Sequence, residues 1–190
     1  TLDAIIWLAE AGEQKRVVGM VRNLSDFFRT SLNQGKDINP IKEEMLHVKS
    51  YLEIQHVRYQ DILSYDIEVP ESLYIYSIPK ITIQPLVENA LYHGIKNKRG
   101  MGHISIRGQA GEKDFTITVT DDGIGIDETR LRQVQSGIQN KVLTGKDFYG
   151  LYNVCERIRL NFGEEYGIFI ESVYGEGTSV RVILPYVEAK

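Results

Sequence analysis

The sequence predicts an α+β fold, in which a mixed β-sheet lies under three helices and follows a separate helical segment. Residues 1–60 show the periodicity of helices and no strand pattern. The alternation typical of strands begins at Leu63, and strands and helices are mixed from there on. A chain of 190 residues accommodates one domain with an attachment, or two small domains. We therefore predict a helical segment at 1–60 and an α+β domain at 61–190.

The composition is that of a soluble globular protein, with 42% apolar residues, 25% charged residues and a net charge of −4. A nucleic-acid partner would require a basic face, which this charge balance argues against. The single cysteine, Cys155, excludes an internal disulfide framework and fits a reducing compartment. No apolar run is long enough for a membrane span, and no signal peptide is present. The chain begins at Thr1 already in helical pattern, so we expect an excised soluble fragment, with any membrane anchor upstream.

The helical segment consists of long helices with single apolar stripes. One stripe begins at Leu2, and a second is formed by Val17, Val21, Leu24 and Phe28. Asn39 and Pro40 predict the start of another helix, which carries its apolar face to about residue 60. Helices of this kind cannot bury themselves alone, so we expect the 1–60 helices to form a homodimer.

The α+β domain is predicted from alternation, glycines and helical periodicity. We expect a helix over 77–93 that is kinked at Pro85, a short helix over 127–135, a mobile lid over 136–148 and a helix over 151–162. The predicted strands are Leu63–Val69, His103–Arg107, Phe115–Thr120, Ile168–Val173 and Thr178–Leu184.

Three short stretches carry candidate chemistry. Asn89 and His93 are four residues apart and share a helix face, where they either bind a cation and a phosphate or form the wet side of the helix. Asp121-Asp-Gly-Ile-Gly125 follows a strand, where it is either a ligand-binding turn or an ordinary one. Gly150-Leu151 opens a helix whose N–H groups can face an anion, although a loop glycine is equally compatible. A P-loop is absent.

In combination, these stretches resemble the Bergerat ATP-binding fold of gyrase, Hsp90, histidine kinases and MutL. Pro85–Gly94 is similar to the N-box, Asp121–Gly125 to the G1 box and Gly150-Leu151 to the end of the G2 box. The resemblance is closest to LytS/YesM-type sensor histidine kinases and covers essentially the whole chain. It rests further on Tyr51-Leu-Glu-Ile-Gln55, Ile83-Gln-Pro-Leu-Val-Glu-Asn-Ala90 and Gly150-Leu-Tyr-Asn-Val-Cys-Glu-Arg-Ile158.

The resemblance implies ATP and Mg²⁺ as ligands. Asn89 would hold Mg²⁺, His93 would lie near the phosphates, and Asp121 would accept the adenine amine with Thr178 nearby. Gly123, Gly125 and Gly150 would shape the lid, beside Leu151. Lys96, Lys98 and Arg99 follow the N-box, where they either contact phosphate or form a solvated charge run.

Two departures from the family pattern concern the lid and the phosphate end. Phe148 stands where the G2 box carries an earlier glycine, and Asp122 stands where the family has asparagine. Gyrase-type ATPases place a water-activating carboxylate at the position occupied here by Pro85. This favours phosphoryl transfer over hydrolysis. Glu88 would then either orient the acceptor imidazole or be a surface acid.

The phosphoacceptor histidine of this family lies in a motif that would end just before Thr1. The four histidines present do not replace it: we expect His47 and His56 to be solvated or interfacial and His103 to be surface. The implied function is that of a sensor histidine kinase on the cytoplasmic side of the membrane. It would transfer the γ-phosphate of Mg·ATP to a histidine of the dimer, and then to an aspartate of a response regulator. The alternatives are an ATP-binding regulatory module, an ATPase without histidine phosphotransfer and an anti-sigma-type serine kinase.

Overall fold

A five-stranded mixed sheet forms the centre of the structure, a computed structural model that describes residues 1–32, 37–140 and 149–189. The strands are β1 (Ile38–Pro40), β2 (Leu63–Glu68), β3 (Ser77–Pro79), β4 (Gly102–Ala110), β5 (Asp114–Asp121), β6 (Gly167–Val173) and β7 (Gly177–Pro185). The order in the main sheet is β2-β4-β5-β7-β6, with β2 parallel to β4 and the other neighbours antiparallel. β1 and β3 form a separate antiparallel pair. The predicted α+β class is confirmed.

Six α-helices are formed within the described residues. They are α1 (Leu2–Glu10), α2 (Gln14–Leu32), α3 (Ile41–Arg58), α4 (Ile83–Asn89), α5 (Glu128–Asn140) and α6 (Tyr149–Phe162). None of the helices in this part of the chain is long and apolar enough to cross a membrane. Residues 136–140 of the expected lid are the end of α5, and residues 141–148, including Phe148, lie outside the described residues.

Helix α3 is buried on more than one face and joins the core of the α+β domain. The apolar face begun by Ile41 and Met45 is buried as predicted, together with Val48 and Leu52. These side chains belong to the same hydrophobic cluster as the sheet and helices α4 and α6. The apolar core therefore extends across residue 60, where the sequence suggested a boundary between two segments.

The second stripe of the helical segment is only partly buried. Val17 and Leu24 pack with Leu8, Met20 and others in a small second cluster. In contrast, Val21 and Phe28 of the same predicted face are 49% and 54% exposed. Five further apolar side chains of α1 and α2 are exposed: Leu2, Ile6, Trp7, Val18 and Leu32.

The predicted helix over 77–93 was wrong at its start. Residues 77–79 form β3, and α4 begins only at Ile83, so Pro85 lies in the first turn. A first-turn residue has no intrahelical N–H partner, so proline is accommodated there and the expected kink has no cause. The α-helix passes into a π-helical turn at Ala90–Gly94 and then a 3₁₀ turn at Ile95–Asn97.

Buried Glu44 fixes where α4 begins. Its carboxylate accepts hydrogen bonds from the backbone N–H groups of Ile81 (3.0 Å), Thr82 (2.8 Å) and Ile83 (2.7 Å). Ile81 has a φ of 56°, a conformation that costs a β-branched residue on the order of 1–2 kcal/mol. Arg157 of α6 donates to the carbonyls of Lys80 and Ile81 at 2.6 Å. Side chains of α3 and α6 thus fix the backbone of the residues that precede α4.

The expectation that His47 is solvated or interfacial was wrong, whereas His56 and His103 are partly exposed. His47 is buried, stacks on Phe27 at 4.6 Å and has hydrogen-bond partners at both ring nitrogens. The Nδ1 atom of His56 lies 2.9 Å from the carbonyl oxygen of Leu63. His103 contacts Ser64 and Asp66 across the parallel β2–β4 pair. His47 is buried because α3 packs between α2 and α4, which its helical pattern in the sequence did not reveal.

Candidate functional site

A cavity of about 300 Å³ lies between the sheet and the α4 region, with the β6–β7 hairpin and α6 at its sides. Its size is at the lower end of the range for small-molecule sites. Its polar lining consists of Asn89, His93, Asn97, Asp121, Asp127, Arg130, Tyr174 and Thr178. Its apolar lining consists of Leu86, Ala90, Val119, Ile124, Ile126, Leu151, Ile170 and Val180. An apolar pocket with a few convergent polar groups is typical of a ligand site.

Asn89 and His93 present their side chains to this cavity from one helix face, as the spacing of four predicts. Asn89 is the last residue of α4, and His93 lies within the π-helical turn that follows. Such turns are frequent at functional sites because they re-aim side chains along a helix. The side chain of Asn97 donates to the carbonyls of Tyr92 (3.0 Å) and His93 (3.1 Å), which closes the end of this turn.

Asp121 forms the buried end of the cavity. It ends β5 and is only 5% exposed, and one carboxylate oxygen accepts the N–H of Gly123 at 2.9 Å. Burial raises the pKa of Asp121 to about 6, and the nearby charge of Asp122 adds to this effect. Hydrogen bonds from the N–H groups of Gly123 and Thr178 act in the opposite direction. A buried carboxylate with one side against a cavity is suited to accept a hydrogen bond from a ligand amine.

Two glycines of the Asp121–Gly125 stretch are required by close packing. A Cβ on Gly123 would lie 2.4 Å from the backbone of Gly94, so the strand end and the π-helical turn touch through bare backbone. Gly125 has a φ of +66°, and a Cβ there would lie 2.1 Å from the carbonyl oxygen of Val173. Gly125 lines the cavity, whereas Gly123 does not line it and packs against the backbone of Gly94.

Thr178 and Leu151 line the cavity as well, from β7 and α6. Thr178 is the direct cross-strand partner of Asp121. Its hydroxyl lies 2.9 Å from that of Ser172, which donates to the carbonyl of Gly177 and accepts the N–H of Ile126. The register of two adjacent strands therefore brings together residues that are 57 positions apart.

Gly150, Glu88 and Lys96 do not line the cavity. A Cβ on Gly150 would meet only Pro85, at 3.7 Å. Glu88 points towards the α3 side of α4, where Gln84 donates to it at 2.8 Å. Lys96 Nζ lies 3.2 Å from the hydroxyl of Tyr59 and over two tyrosine rings.

The two charges that flank the site are paired with one another. Lys98 Nζ lies 2.9 Å from the carboxylate of Asp122, which also accepts the N–H of His103 at 2.7 Å. Burial opposes ionisation of Asp122, but these two partners hold its pKa below the usual value. The extra negative charge that the sequence placed near the phosphate end is therefore offset by Lys98.

Four polar lining residues were missed by the sequence analysis: Asn97, Asp127, Arg130 and Tyr174. Asp127 could have been found, because its carboxylate caps α5 through the N–H of Arg130 at 3.0 Å, and aspartate before a helix is a cap signal. Arg130 is one turn further along the same helix. Tyr174 is 71% exposed at the hairpin turn, where no periodic pattern marks it.

No cluster of three or more His, Cys, Asp or Glu side chains that could hold a metal ion lies within the described residues. Asn89 provides one neutral oxygen. Mg²⁺ in phosphoryl-transfer sites usually takes one or two protein ligands, with phosphates and water filling its other positions. The residues present thus fit a magnesium ion that would arrive with phosphate groups, for which Asn89 offers one oxygen.

Comparisons with known proteins identify the family. The sequence profile of the histidine kinase-, DNA gyrase B- and HSP90-like ATPases matches residues 79–188, and that of the histidine kinase family matches residues 1–63. The chain is 35% identical over 185 residues to the sensor histidine kinase YesM of Bacillus subtilis, which covers 97% of the chain and 30% of YesM. It is 30% identical over 168 residues to the sensor protein LytS of Oceanobacillus iheyensis, covering 88% of the chain and 28% of LytS.

Solved structures show the same fold. The histidine kinase domain of the blue-light-activated histidine kinase EL346 of Erythrobacter litoralis superposes with a TM-score of 0.58 at 14% identity, covering 94% of this chain and 83% of that one. The catalytic domain of the histidine kinase ThkA superposes with a TM-score of 0.57 at 14% identity, covering 80% and 97%. The chain spans about 30% of the length of YesM and LytS. It belongs to the histidine kinase-, DNA gyrase B- and HSP90-like ATPase family, and its relatives are sensor histidine kinases of the YesM and LytS type.

Proposed function

We propose that the cavity binds Mg·ATP and presents its γ-phosphate to a histidine of a homodimer, from which the phosphoryl group passes to an aspartate of a response regulator. The observation that carries this proposal is the difference between the two ends of the cavity. A buried carboxylate, Asp121, lies at one end, and the exposed His93 lies with Asn89 on the helix that lines it. An adenine ring needs a buried acceptor, whereas a triphosphate needs donors and a cation ligand at an open end.

The proposed roles follow from this placement. Asp121 accepts the adenine amine, with Thr178 beside it, while Asn89 holds the nucleotide's Mg²⁺ and His93 donates to phosphate. Gly125 and Leu151 shape the wall, and Gly123 keeps the wall in contact with the π-helical turn. Lys96 and Gly150 would reach the nucleotide only after rearrangement, because neither lines the cavity.

The acceptor histidine is proposed to lie in a segment that precedes Thr1. His47, His56 and His103 are held by hydrogen bonds within the fold, and His93 lines the cavity itself. Holding nucleotide and acceptor in one dimer makes the transfer effectively intramolecular. The exposed apolar side chains of α1 and α2 support a homodimer through these helices. A position on the cytoplasmic side of a membrane is part of the proposal, and its support is the similarity to sensor histidine kinases.

Hydrolysis is the competing reaction. A hydrolase would require a base positioned to activate water, and Pro85 occupies the place where gyrase-type ATPases carry one. The two carboxylates that line the cavity are already engaged: Asp121 accepts an N–H at the buried end, and Asp127 caps α5. This arrangement favours transfer to a side chain.

The test is a phosphorylation assay with γ-labelled ATP. The chain preceded by the upstream segment should acquire label that is acid-labile and base-stable, as phosphohistidine is, and Asn89→Ala should abolish it. The 190-residue chain alone should bind nucleotide without becoming labelled. Binding without any histidine label in the extended protein would refute the transfer, and steady phosphate release abolished by Asn89→Ala would establish an ATPase instead.

A further inference from the structure

A series of side-chain hydrogen bonds, buried at its start and partly buried at its end, connects helix α2 to the helix that carries Asn89. It begins at Thr30 of α2, whose Oγ1 lies 2.8 Å from Nδ1 of His47 on α3. His47 Nε2 contacts Oε1 of Gln84 on α4, and Gln84 Nε2 donates to Glu88 at 2.8 Å. Thr30 and His47 are 6% and 2% exposed. Three helices are therefore linked through polar side chains, of which Thr30 and His47 are buried and Gln84 and Glu88 are partly buried.

The chemistry of the groups fixes the direction of the two bonds that Gln84 makes. A carboxylate only accepts hydrogen bonds, so the amide NH₂ of Gln84 must face Glu88. The amide oxygen of Gln84 must then face His47, and because it also only accepts, His47 Nε2 must carry a proton. Reversal of the Gln84 amide would place two acceptors together at Glu88.

The series of hydrogen bonds ends at Glu88, next to a residue that lines the cavity. Glu88 precedes Asn89 directly, but it lies on the α3 side of α4 and does not line the cavity. Gln84 is one helical turn away, and it holds one oxygen of the Glu88 carboxylate. The ring of His47 stacks on the ring of Phe27, with centroids 4.6 Å apart, and it contacts Thr30 and Gln84 through its two nitrogens. A shift of α2 against α3 would thus change the position of the Glu88 carboxylate, because His47 and Gln84 connect the two.

We propose that His47 and Gln84 are positioning residues, which set the orientation of the Glu88 carboxylate and connect it to helix α2. This rests on the proposed function, and on the first of the two roles left open for Glu88, in which it orients the acceptor imidazole during transfer. Neither residue touches the cavity, so their loss should lower the transfer rate without changing nucleotide affinity.

The first test concerns the hydrogen bonds alone and uses the 190-residue chain. Long-range ¹H–¹⁵N spectra of the four imidazole rings should show a proton on Nε2 of His47. The side-chain amide resonances of Gln84 should move in both His47→Phe and Glu88→Ala. His56→Gln is the matched control, since His56 is on the same helix but bonds to the carbonyl of Leu63, and it should leave those resonances unchanged. A neutral His47 ring protonated only on Nδ1 would overturn the proposal.

The second test measures transfer in the protein that includes the upstream segment. His47→Phe retains the aromatic stacking and removes both hydrogen bonds. It should lower the rate at saturating ATP about tenfold, the effect of roughly one lost hydrogen bond, and leave the nucleotide Kd within about twofold. His47→Gln, which can still donate to Gln84, should recover most of the rate.

Combination with Glu88→Ala distinguishes positioning from a general loss of structure. In that background His47→Phe should have no further effect on the rate, because the group it orients is gone. An equal loss in both backgrounds, or a parallel fall in nucleotide affinity, would refute the proposal. If the wild-type protein transfers nothing, the proposed function fails, and the imidazole and amide spectra alone decide whether His47 and Gln84 hold Glu88.

Discussion

Asp121 is predicted to be a functional residue that lowers stability at neutral pH. Burial raises its pKa to about 6 from a reference value of 3.8, so the ionised form is disfavoured in the folded state by about 3 kcal/mol. In this case the folded state binds the proton more tightly than the unfolded state. The contribution of Asp121 to stability is therefore greatest below pH 3.8 and is lost as pH rises through about 6. Asp121→Asn removes this cost, since an amide can still accept the N–H of Gly123.

The assay is urea unfolding of the wild type and of Asp121→Asn without nucleotide, at pH 4.5 and pH 7.5. The variant's advantage in unfolding free energy should be about 2 kcal/mol larger at pH 7.5 than at pH 4.5, where most of the folded wild type is already protonated. Comparison with the variant cancels the titration of all other groups. An advantage independent of pH, or one that shrinks at pH 7.5, would refute the reasoning.

Three further predictions concern the frame around the site. Gly125→Ala should lower the unfolding free energy by more than Gly175→Ala in urea titrations, because both positions have positive φ but only Gly125 also meets a carbonyl oxygen; equal losses would contradict this. Glu44→Ala should cost at least about 3 kcal/mol by the same method, since it leaves three N–H groups unpaired, and Glu44→Gln should cost less; equal costs would argue against capping. Phe28→Lys should shift the dimer towards monomer in sedimentation without lowering monomer stability, whereas Leu160→Lys, at an 83% exposed position on α6, should leave the dimer intact.

The strands and the Asp121–Gly125 turn could be predicted because their signals are local. Alternation along β5 buries Phe115, Ile117 and Val119 on one face, and the strand ends at Asp121 as the pattern indicates. The pairing of Asp121 with Thr178 could not be derived in this way. It depends on β5 lying next to β7, which is a property of the whole sheet.

Helix α3 shows why other features could not be predicted. A helix buried on several faces loses its amphipathic pattern, so Glu44 and His47 resemble solvated polar residues in the sequence. Both are buried and both bond to the start of α4, 37 to 39 residues away. The same long-range contacts determine where α4 begins, and they explain why Pro85 lies in a first turn and causes no kink.

The cavity residues were predicted where a motif named them, and missed where only the fold brings them in. Asn89 and His93 share a helix face at a spacing that the sequence displays. Arg130 and Tyr174 approach from α5 and the β6–β7 hairpin, and only the packing of these elements against the sheet places them at the cavity.

Calorimetric titration of the 190-residue chain with ATP, with and without Mg²⁺, tests the central claim most directly. The proposed site predicts one saturable site per chain that Mg²⁺ strengthens. Asp121→Asn should weaken it at least tenfold, on the order of one lost charge-assisted hydrogen bond. Asn89→Ala should retain binding but lose the strengthening by Mg²⁺. ATP binding that is unaffected by both substitutions would contradict the assignment of this cavity as the nucleotide site.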